Sequence, residues 1–263
     1  MKKKILSLVV LVTMMATLLA GCGSKSGSSE SDIEYIKGKG TLIVGITDFA
    51  PMDYLDDNGD WIGFDADLAR LVGEDLGVEV QFTEIDWDNK ILELDNKSID
   101  VVWNGMTLTD EVSSAMACTK PYLNNAQTVV VKADQASMYD SVDAVKGLKF
   151  AVEAGSAGET AAEDNGFEYT SVTSQADTLM EVEAGTSDAS IIDSLMAGAM
   201  VGEGTSYADL THTVDLTTEE YVVGCRKGSD LAAYIDEEIN KFTKEGTMKT
   251  IAEEYGVQEA LVK

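Results

Sequence analysis

Strand-like and helix-like segments alternate along this chain, and this alternation limits its fold more than any other feature. The first round of the pattern consists, in order, of the runs "TLIVGIT", "DADLARLVGEDLG", "VEVQFTEI", "NKILELDNKS" and "IDVVWNG". Strands that alternate with helices predict a parallel sheet of the α/β class. The pattern begins again at "QTVVVK" and ends in a helical C-terminal stretch. We therefore predict two α/β units.

Three local signals refine these assignments. Asp57-Asn58-Gly59 is typical of a hairpin turn. Gly77 stands where the first helix should end, because glycine tolerates the left-handed backbone of a helix C-terminus. Trp103-Asn104-Gly105 follows a buried strand and resembles a turn that presents backbone amides beside an aromatic ring.

Ligands of open α/β sheets bind outside the carboxyl ends of the strands. This rule indicates the turns after Val102, Val152 and Ile192, and the turn before Pro51. Aromatic walls with a few fixed polar groups are what a small-molecule cleft needs. The candidate ligand-binding residues in these turns are Phe49, Trp87, Trp103, Asn104, Gly105, Met106, Thr107, Ser156 and Asp193.

The three aromatic candidates and Asp193 each have a competing structural interpretation. Each aromatic residue also suits ordinary core packing. Asp193 directly follows the apolar run from Ala189 to Ile192. Because an acid is costly to bury without a partner, we favour a functional role for Asp193 over a helix cap.

Charge and composition exclude several classes of function. The chain has 47 acidic and 19 basic residues, a net charge of -28, which argues against nucleic-acid binding. Its one histidine, His212, argues against a catalytic triad and a histidine metal site. "GSAGET" lacks the lysine of a nucleotide loop. We expect no catalytic residue, metal or cofactor, although the abundant acids leave paired-carboxylate hydrolysis open.

The N-terminus has the pattern of an export signal. Lys2 to Lys4 precede an apolar run that ends at Leu19-Ala20-Gly21-Cys22. This ending resembles a bacterial lipobox, which implies cleavage of residues 1–21 and lipidation of Cys22; a transmembrane anchor is the alternative. The Gly/Ser-rich residues that follow predict a flexible tether over 22–37. We expect a lipid-anchored protein at the extracellular face of the cell membrane. Cys118 and Cys225 could form a disulfide there or remain free thiols.

The chain resembles the extracellular solute-binding proteins of ABC importers, in the branch that binds polar amino acids. The resemblance runs from about Gly38 to Gly256 and is carried by "GTLIVGITDFAPMDYLDDNGDWIGFDADLARLVGEDLGV", "WDNKILELDNKSIDVVWNGMTLTDEV", "TKPYLNNAQTVVVK", "GLKFAVEAGSAGETA", "GTSDASIIDSLMAG", "TTEEYVVGCRKGSDL" and "INKFTKEGTMKTIAEEYG".

The resemblance implies a two-lobed, periplasmic-binding-protein-like (type II) fold of the α/β class. Two hinge crossings, near Asn125 to Lys132 and near Glu220 to Arg226, would join lobes that close on a ligand. We expect lobe 1 over residues 38–125 plus 222–263, and lobe 2, with the crossings, over residues 126–221. The expected partners are a small-molecule ligand and a membrane permease, and we expect a monomer.

The resemblance also assigns roles to the candidate residues. It implies that Phe49 and Trp87 sandwich the ligand, that residues 104–107 give backbone and hydroxyl contacts, and that Asp193 pairs with the α-ammonium group. Two positions depart from the family pattern. Val112 stands where the arginine that grips the α-carboxylate is expected, and Ala157 stands where a hydroxyl is often found.

No obvious residue replaces that arginine. Arg70 is on the first helix, whose polar face should look away from the cleft, Arg226 follows the second crossing near the hinge, and Lys120 lies in the approach to the first crossing. We therefore expect a ligand with a cationic amine that lacks a free α-carboxylate, or presents it to solvent or backbone amides. The aromatic candidates could add cation–π attraction. Two alternatives remain: a dehydratase-like enzyme on the same fold, and a sensory or adhesive lipoprotein with a degenerate cleft.

Overall fold

The structure is a computed structural model and describes residues 31–263. The signal peptide, the lipidation of Cys22 and the tether up to residue 30 lie outside this range and stay predictions. No helix in the described range is both long and apolar enough to cross a membrane. Cys118 and Cys225 are free thiols, so the pair that the sequence left open does not form a disulfide.

The first lobe is built on a six-stranded sheet. Its spatial order is β4 (Glu79–Glu84), β1 (Thr41–Ile46), β5 (Val101–Thr107), β13 (Glu219–Cys225) and β6 (Ala117–Cys118), with β7 (Leu123–Asn125) also paired to β13. Strands β4, β1 and β5 are parallel, whereas β13 runs antiparallel to β5. A short hairpin, β2 (Tyr54–Leu55) and β3 (Trp61–Ile62), encloses Asp57-Asn58-Gly59 as predicted.

Within residues 31–263, six α-helices belong to this lobe: α1 (Asp32–Lys39), α2 (Phe64–Leu76), α3 (Lys90–Asp95), α4 (Asp110–Ala115), α9 (Leu231–Glu245) and α10 (Thr247–Glu254). Helix α2 buries Phe64, Leu68, Val72 and Leu76, which share one face at a spacing of four residues. It ends at Gly77, whose φ of 75° is left-handed. The sequence prediction of this helix and its glycine stop is confirmed.

The second lobe has a five-stranded sheet in the order β10 (Glu168–Val172), β9 (Lys149–Glu153), β11 (Ala189–Asp193), β8 (Gln127–Lys132) and β12 (Leu210–Asp215). Strands β10, β9 and β11 are parallel, so their carboxyl ends meet at one edge. The helices of this lobe are α5 (Val142–Val145), α6 (Ala157–Asn165), α7 (Gln175–Ala184) and α8 (Ser194–Met200).

The chain crosses between the lobes twice, at shorter segments than the sequence indicated. Asn125 ends β7 in the first sheet and Gln127 begins β8 in the second, so the first crossing centres on Ala126. The second crossing spans residues 216–218, between β12 and β13. The predicted crossing near Glu220 to Arg226 is wrong, because those residues up to Cys225 belong to β13, which pairs with β5 and β7 in the sheet of lobe 1.

The folded part of lobe 1 begins earlier than predicted. Helix α1 starts at Asp32, inside the segment assigned to the tether, and its Ile36 is fully buried. Asp32 also pairs with the buried Arg226 at 3.1 Å. The tether prediction is therefore wrong for residues 32–37, because one apolar side chain and one ion pair attach this short polar helix to the lobe.

Strand β5 continues through the predicted turn. Trp103, Asn104 and Gly105 lie within β5, which ends only at Thr107. Gly105 has a φ of 56°, and the pairing of β5 with β13 shifts register opposite this stretch. The glycine marks an irregularity inside a strand, so the prediction that the strand ends here is wrong.

Candidate ligand-binding site

A cavity of about 280 Å³ lies between the two lobes. Lobe 1 lines it with Thr47, Phe49, Trp87, Lys90, Asn104, Gly105, Met106, Thr107, Thr109, Asp110, Glu111 and Val112. Lobe 2 lines it with Glu153, Gly155, Ser156, Ala157, Thr160, Gln175 and Asp193. Eight of the nine candidate residues thus meet at one cavity, and their role in binding stays a prediction.

Trp103 is the candidate that does not reach the cavity. Its side chain is fully buried in the lobe 1 core, in the same cluster as Phe64 and Tyr122. Neighbouring residues of a strand point to opposite faces of the sheet. Asn104 therefore lines the cavity while Trp103 packs in the core, and after the irregularity at Gly105 the strand lines the cavity with residues up to Thr107. The assignment of Trp103 to the site is wrong.

The polar groups of strand β5 are already used within lobe 1. The Asn104 amide donates to the Thr47 carbonyl at 3.0 Å and to Asp53 Oδ2 at 2.8 Å, and its oxygen accepts from the Thr47 amide and hydroxyl at 3.0 and 2.8 Å. The Gly105 amide donates to Asp65 Oδ2 at 2.7 Å. These four bonds use every donor and acceptor of the Asn104 side chain. Asn104 therefore shapes this side of the cavity but has no free hydrogen-bonding group for a ligand.

Phe49 lies directly over Gly105. A β-carbon at Gly105 would come within 2.6 Å of Cε1 of the Phe49 ring. The missing side chain therefore lets the ring settle on the strand, and Phe49 is only 2% exposed. Trp87 begins a short 3-10 turn, Trp87–Asn89, and adds a second aromatic surface to the cavity.

Lobe 2 places two buried carboxylates at the cavity. Glu153 is the last residue of β9 and Asp193 the last residue of β11, and these parallel strands are neighbours. The two side chains are 2% and 4% exposed. Two acids that end adjacent parallel strands therefore line the cavity, at the kind of position that the sequence indicated.

Asp193 is held by neutral donors only. Its Oδ1 accepts from Tyr221 Oη at 2.6 Å, from Gln127 Nε2 at 3.1 Å and from Asn125 Nδ2, and its Oδ2 accepts from Gln175 Nε2. Burial, and then the charge of Glu219, raise the pKa of Asp193 to about 7. The donors orient the carboxylate without supplying a positive charge.

Glu153 is less well satisfied. Its Oε1 is buried and has no hydrogen-bond partner. Burial, and then the charge of Asp193, raise the pKa of Glu153 to about 8, against the opposing effects of the Lys90 charge and of hydrogen bonds from Gln175. A buried carboxylate oxygen without a donor is costly, so this pair of acids can bind either a proton or a cationic group in the cavity.

Lys90 is the one cationic residue among those that line the cavity within residues 31–263. It is 4% exposed, and its Nζ donates to the carbonyls of Trp87 at 3.2 Å and Gly155 at 2.9 Å. Because Gly155 belongs to lobe 2, this contact joins the lobes. Burial lowers the pKa of Lys90, against the opposing effect of nearby acids, of which Glu111 is the largest.

The positions that depart from the family pattern both line the cavity. Val112 is 3% exposed and packs in the apolar cluster that contains Trp87, and Ala157 begins helix α6. Ser156, the residue before it, accepts from the Glu159 amide at 3.1 Å and so caps this helix. Three other basic residues could have replaced the arginine of the family pattern, and none of them lines the cavity: Arg70, Arg226 and Lys120.

Sequence reasoning missed Glu153 and Lys90, although each had a signal. Glu153 ends the apolar run "FAV" just as Asp193 ends "ASII", and the rule that ligands bind at the carboxyl ends of strands covers both. Lys90 follows Trp87 by three residues, a spacing that places two side chains on one helical face. Its Nζ lies 5.0 Å from the centre of the Trp87 ring.

Comparison with known proteins identifies the family. The family model for bacterial extracellular solute-binding proteins, family 3, matches residues 42–258. The chain belongs to this family. The solute-binding protein has the two-lobed, periplasmic-binding-protein-like (type II) α/β fold, so both the resemblance and the fold-class prediction are confirmed.

Three relatives indicate the range of the family. The L-cystine-binding protein TcyJ of Escherichia coli K12 is 28% identical over 246 residues, which cover 92% of each chain. The arginine-binding extracellular protein ArtP of Bacillus subtilis is 28% identical over 264 residues, with 97% and 98% covered. The structure of AncCDT-1, an ancestral amino acid-binding protein and precursor of cyclohexadienyl dehydratase, has a TM-score of 0.78, 30% identity, and coverage of 86% of this chain and 99% of its own.

Proposed function

We propose that this solute-binding protein captures an amino acid or an amino-acid-like amine between its lobes and delivers it to the permease of an ABC transporter. A lipid on Cys22 would hold it at the extracellular face of the cell membrane. It would act as a monomer, without a cofactor and without catalysing a reaction. The names of TcyJ and ArtP, which specify cystine and arginine, support an amino-acid-like ligand.

The observation that carries this proposal is the acid pair of lobe 2. Glu153 and Asp193 end adjacent strands, are almost fully buried, and open on the cavity between the lobes. Two carboxylates in such a site repel each other unless a proton or a cation lies between them. A ligand ammonium group would supply that charge and a donor for the free Oε1 of Glu153. The eight candidate residues at the cavity would surround it.

Two other lining positions of the cavity, Val112 and Ala157, favour an amine without a free α-carboxylate. Val112 and Ala157 give no charge and no hydroxyl at the positions where the family pattern expects them. The lining has Asp110, Glu111 and the acid pair against a single cation, Lys90. A carboxylate buried among these acids would lose several kcal/mol.

Lys90 supports a second candidate, an ordinary α-amino acid. Its Nζ lies at the cavity and uses two donors on the carbonyls of Trp87 and Gly155. An ammonium group has three donors, so one remains for a ligand carboxylate. In that case Lys90 would replace the missing arginine with a single-point contact instead of a bidentate one.

A thermal-shift panel of matched pairs separates the two candidates. Each pair is an amine or amide and its parent amino acid: argininamide with arginine, and histamine with histidine. At a hundred times the dissociation constant a ligand stabilises the folded state by about 2.7 kcal/mol. We expect the amine member of each pair to give the larger shift. Larger shifts with the parent amino acids would overturn the amine preference and leave solute binding intact.

The variant Lys90→Met identifies the role of this lysine, and Lys120→Met is its matched control. Lys120 is exposed and outside the cavity, so its loss changes the net charge equally. If α-amino acids bind through Lys90, only Lys90→Met removes their binding. If the ligand is an amine, Lys90→Met preserves or strengthens binding, because a repelling charge is gone.

The remaining parts of the proposal have direct tests. The variant Cys22→Ala should release the protein from cells into the medium, and membrane retention of this variant would contradict the lipid anchor. AncCDT-1 is named as a precursor of a dehydratase, so an enzyme on this fold is the alternative. Turnover of a cyclic carboxylic acid by this protein would support that alternative. A broad metabolite screen without any binding would favour the sensory or adhesive lipoprotein.

A further inference from the structure

A second cavity adjoins the first. Its volume is about 460 Å³, and it shares four lining residues with the cavity described above: Thr107, Thr109, Ala157 and Thr160. These four residues form a collar between the two spaces. Strand β5 and the start of helix α4 supply one side of the collar, and helix α6 supplies the other. The collar has no large side chain, because one member is alanine and three are threonine.

The second cavity is lined with acids and neutral groups. Its other lining residues are Leu108, Asn124, Ala161, Asp164, Thr217, Thr218, Glu219 and Glu220. Within residues 31–263, no lysine, arginine or histidine lines it. A ligand group that enters this space meets three carboxylates and no positive charge, which favours a cation there.

Glu219 links the acids of the two cavities. Gln127 Nε2 donates to Asp193 Oδ1 at 3.1 Å and to Glu219 Oε2 at 3.2 Å, so one amide nitrogen joins the two carboxylates. Thr217 Oγ1 donates to Glu219 Oε1 at 2.5 Å and Thr107 Oγ1 donates to its Oε2. All these donors are neutral. Glu153, Asp193 and Glu219 therefore form a row of carboxylates that runs from the first cavity to the second.

We propose that the two cavities form one binding site for a linear ligand with two or more cationic amines. One ammonium group lies between Glu153 and Asp193, the chain passes through the collar, and the second ammonium group lies beside Glu219. The unpartnered Oε1 of Glu153 marks the first position, and the shared cavity wall gives the path to the second. This inference rests on the proposed function and narrows its ligand to a diamine or polyamine.

Isothermal titration of the whole protein with putrescine, spermidine and the monoamine butylamine tests the inference. Putrescine and butylamine have the same carbon chain, and only putrescine has a second amine. We expect putrescine or spermidine to bind at least about tenfold more tightly than butylamine, because a second ion pair forms in a partly desolvated site. Equal affinities would overturn the inference and leave the proposed amine binding intact. Binding of α-amino acids without any amine binding would overturn both the inference and the amine preference.

A charge placed in the collar provides a second test. Thr160 is exposed and lines both cavities, so Thr160→Lys adds a cation to the path at a position that tolerates a long side chain. Thr170→Lys makes the same change on exposed strand β10, away from both cavities. We expect Thr160→Lys to weaken diamine binding about tenfold or more and monoamine binding much less, while Thr170→Lys changes neither. The same loss for both ligands would contradict the two-cavity site.

Neutralisation of Glu219, the proposed partner of the second ammonium group, provides a third test. Glu219→Gln keeps the shape of the side chain and removes its charge, and Glu203→Gln, at an exposed position of lobe 2, is the control for net charge. Diamine affinity should fall with Glu219→Gln and stay unchanged with Glu203→Gln. If Glu219→Gln fails to fold, the Thr160→Lys comparison still decides, because that position lies on the surface. Unchanged diamine affinity in a folded Glu219→Gln protein would exclude Glu219 as the second anchor.

Discussion

Each lobe of the protein buries a pair of carboxylates, and the two pairs are held differently. In lobe 1, Asp53 and Asp65 are fully buried in the core of a single lobe. In lobe 2, Glu153 and Asp193 are nearly as buried, but they line the cavity between the lobes. Each pair includes one oxygen without a hydrogen-bond partner, Oδ1 of Asp53 and Oε1 of Glu153.

The contrast shows which property indicates a ligand site. Burial, and then the charge of Asp65, raise the pKa of Asp53 well above its ordinary value, and burial raises the pKa of Asp65 to about 7. A proton held inside the core can neutralise this pair. Burial, raised pKa and a free oxygen are thus common to both pairs. Only the lobe 2 pair opens on a cavity, where a cation can replace the proton.

Neutralising one acid of each pair should give the largest difference between them. Asp193→Asn removes the charge that faces the ligand, and we expect its affinity for a cationic ligand to fall about a hundredfold or more. Asp65→Asn makes the same chemical change in lobe 1. It weakens the bonds from the Tyr122 hydroxyl at 2.7 Å and the Gly105 amide at 2.7 Å, so it should lower the free energy of unfolding by about 1–3 kcal/mol.

Titration calorimetry and chemical denaturation of the two variants measure these effects. The comparison requires that Asp193→Asn loses affinity while it remains folded, and that Asp65→Asn loses stability while its affinity changes much less. A similar loss of affinity in both variants would show that the lobe 1 pair also acts on the ligand, and that the two pairs do not differ in this respect.

The two carboxylate pairs also show how much of the fold and of the candidate site the sequence predicts. The architecture was predictable because strand and helix periodicities are local, and Asp193 was predictable because it ends an apolar run. The same signal stands at Glu153, but only the pairing of β9 with β11 brings the ends of the two apolar runs together. That pairing joins strands separated by a helix, another strand and a second helix.

Side-chain direction was the second limit. Trp103 and Asn104 are neighbours in sequence, but one packs in the core and the other lines the cavity. Because Trp103-Asn104-Gly105 resembles a turn, the sequence predicts a strand that ends before both residues, and side chains alternate between faces only inside a strand. Lys90 was missed because its role depends on Gly155, a contact between the lobes that only tertiary structure shows. Whether the residues at the cavity bind ligand stays a prediction.

The pH dependence of ligand affinity should also distinguish the carboxylate pair of lobe 2 from that of lobe 1. The pKa of Asp193 is about 7 and that of Glu153 about 8, so the unliganded pair holds protons that a cationic ligand must displace. Affinity for an amine that stays cationic should rise with pH through this interval, by up to about tenfold per pH unit. Calorimetry in buffers of different ionisation enthalpy should show net proton release on binding.

Stability without ligand should change in the opposite direction. The pKa values of Glu153 and Asp193 in the folded protein lie above their ordinary values of 4.5 and 3.8. Between the ordinary pKa and the raised pKa of each acid, the folded state therefore holds more protons than the unfolded chain. The contribution of the pair to the free energy of unfolding is fully present below the ordinary values and is lost as pH rises toward about 8.

Glu153→Gln should flatten the pH profile of affinity, and Asp65→Asn should leave it unchanged. An affinity that falls with pH would contradict the assignment of the cation to this pair.

The smallest expected effect tests whether the lobe 2 pair owes its burial to contact between the lobes. Gly155 of lobe 2 lies against lobe 1: a β-carbon there would come within 2.8 Å of the Asp88 backbone Cα, which has no freedom to rotate away. Gly166 is its matched control, because its φ of 67° is close to the 69° of Gly155 and a β-carbon there would meet nothing within 4 Å.

Gly155→Ala and Gly166→Ala should therefore lose similar stability, about 1 kcal/mol each, from the left-handed backbone. Only Gly155→Ala should also weaken ligand binding, by roughly tenfold, because the added methyl group separates the lobes. Separation exposes Glu153 and Asp193 to water and returns their pKa values toward the ordinary range, so the pH profile of affinity should shift to lower pH in this variant alone. Asp53 and Asp65, which are buried within one lobe, should keep their raised pKa values in both variants. Carboxyl chemical shifts measured by NMR across a pH titration follow all four groups, and an unchanged titration of Glu153 in Gly155→Ala would show that lobe 2 buries this acid without help from lobe 1.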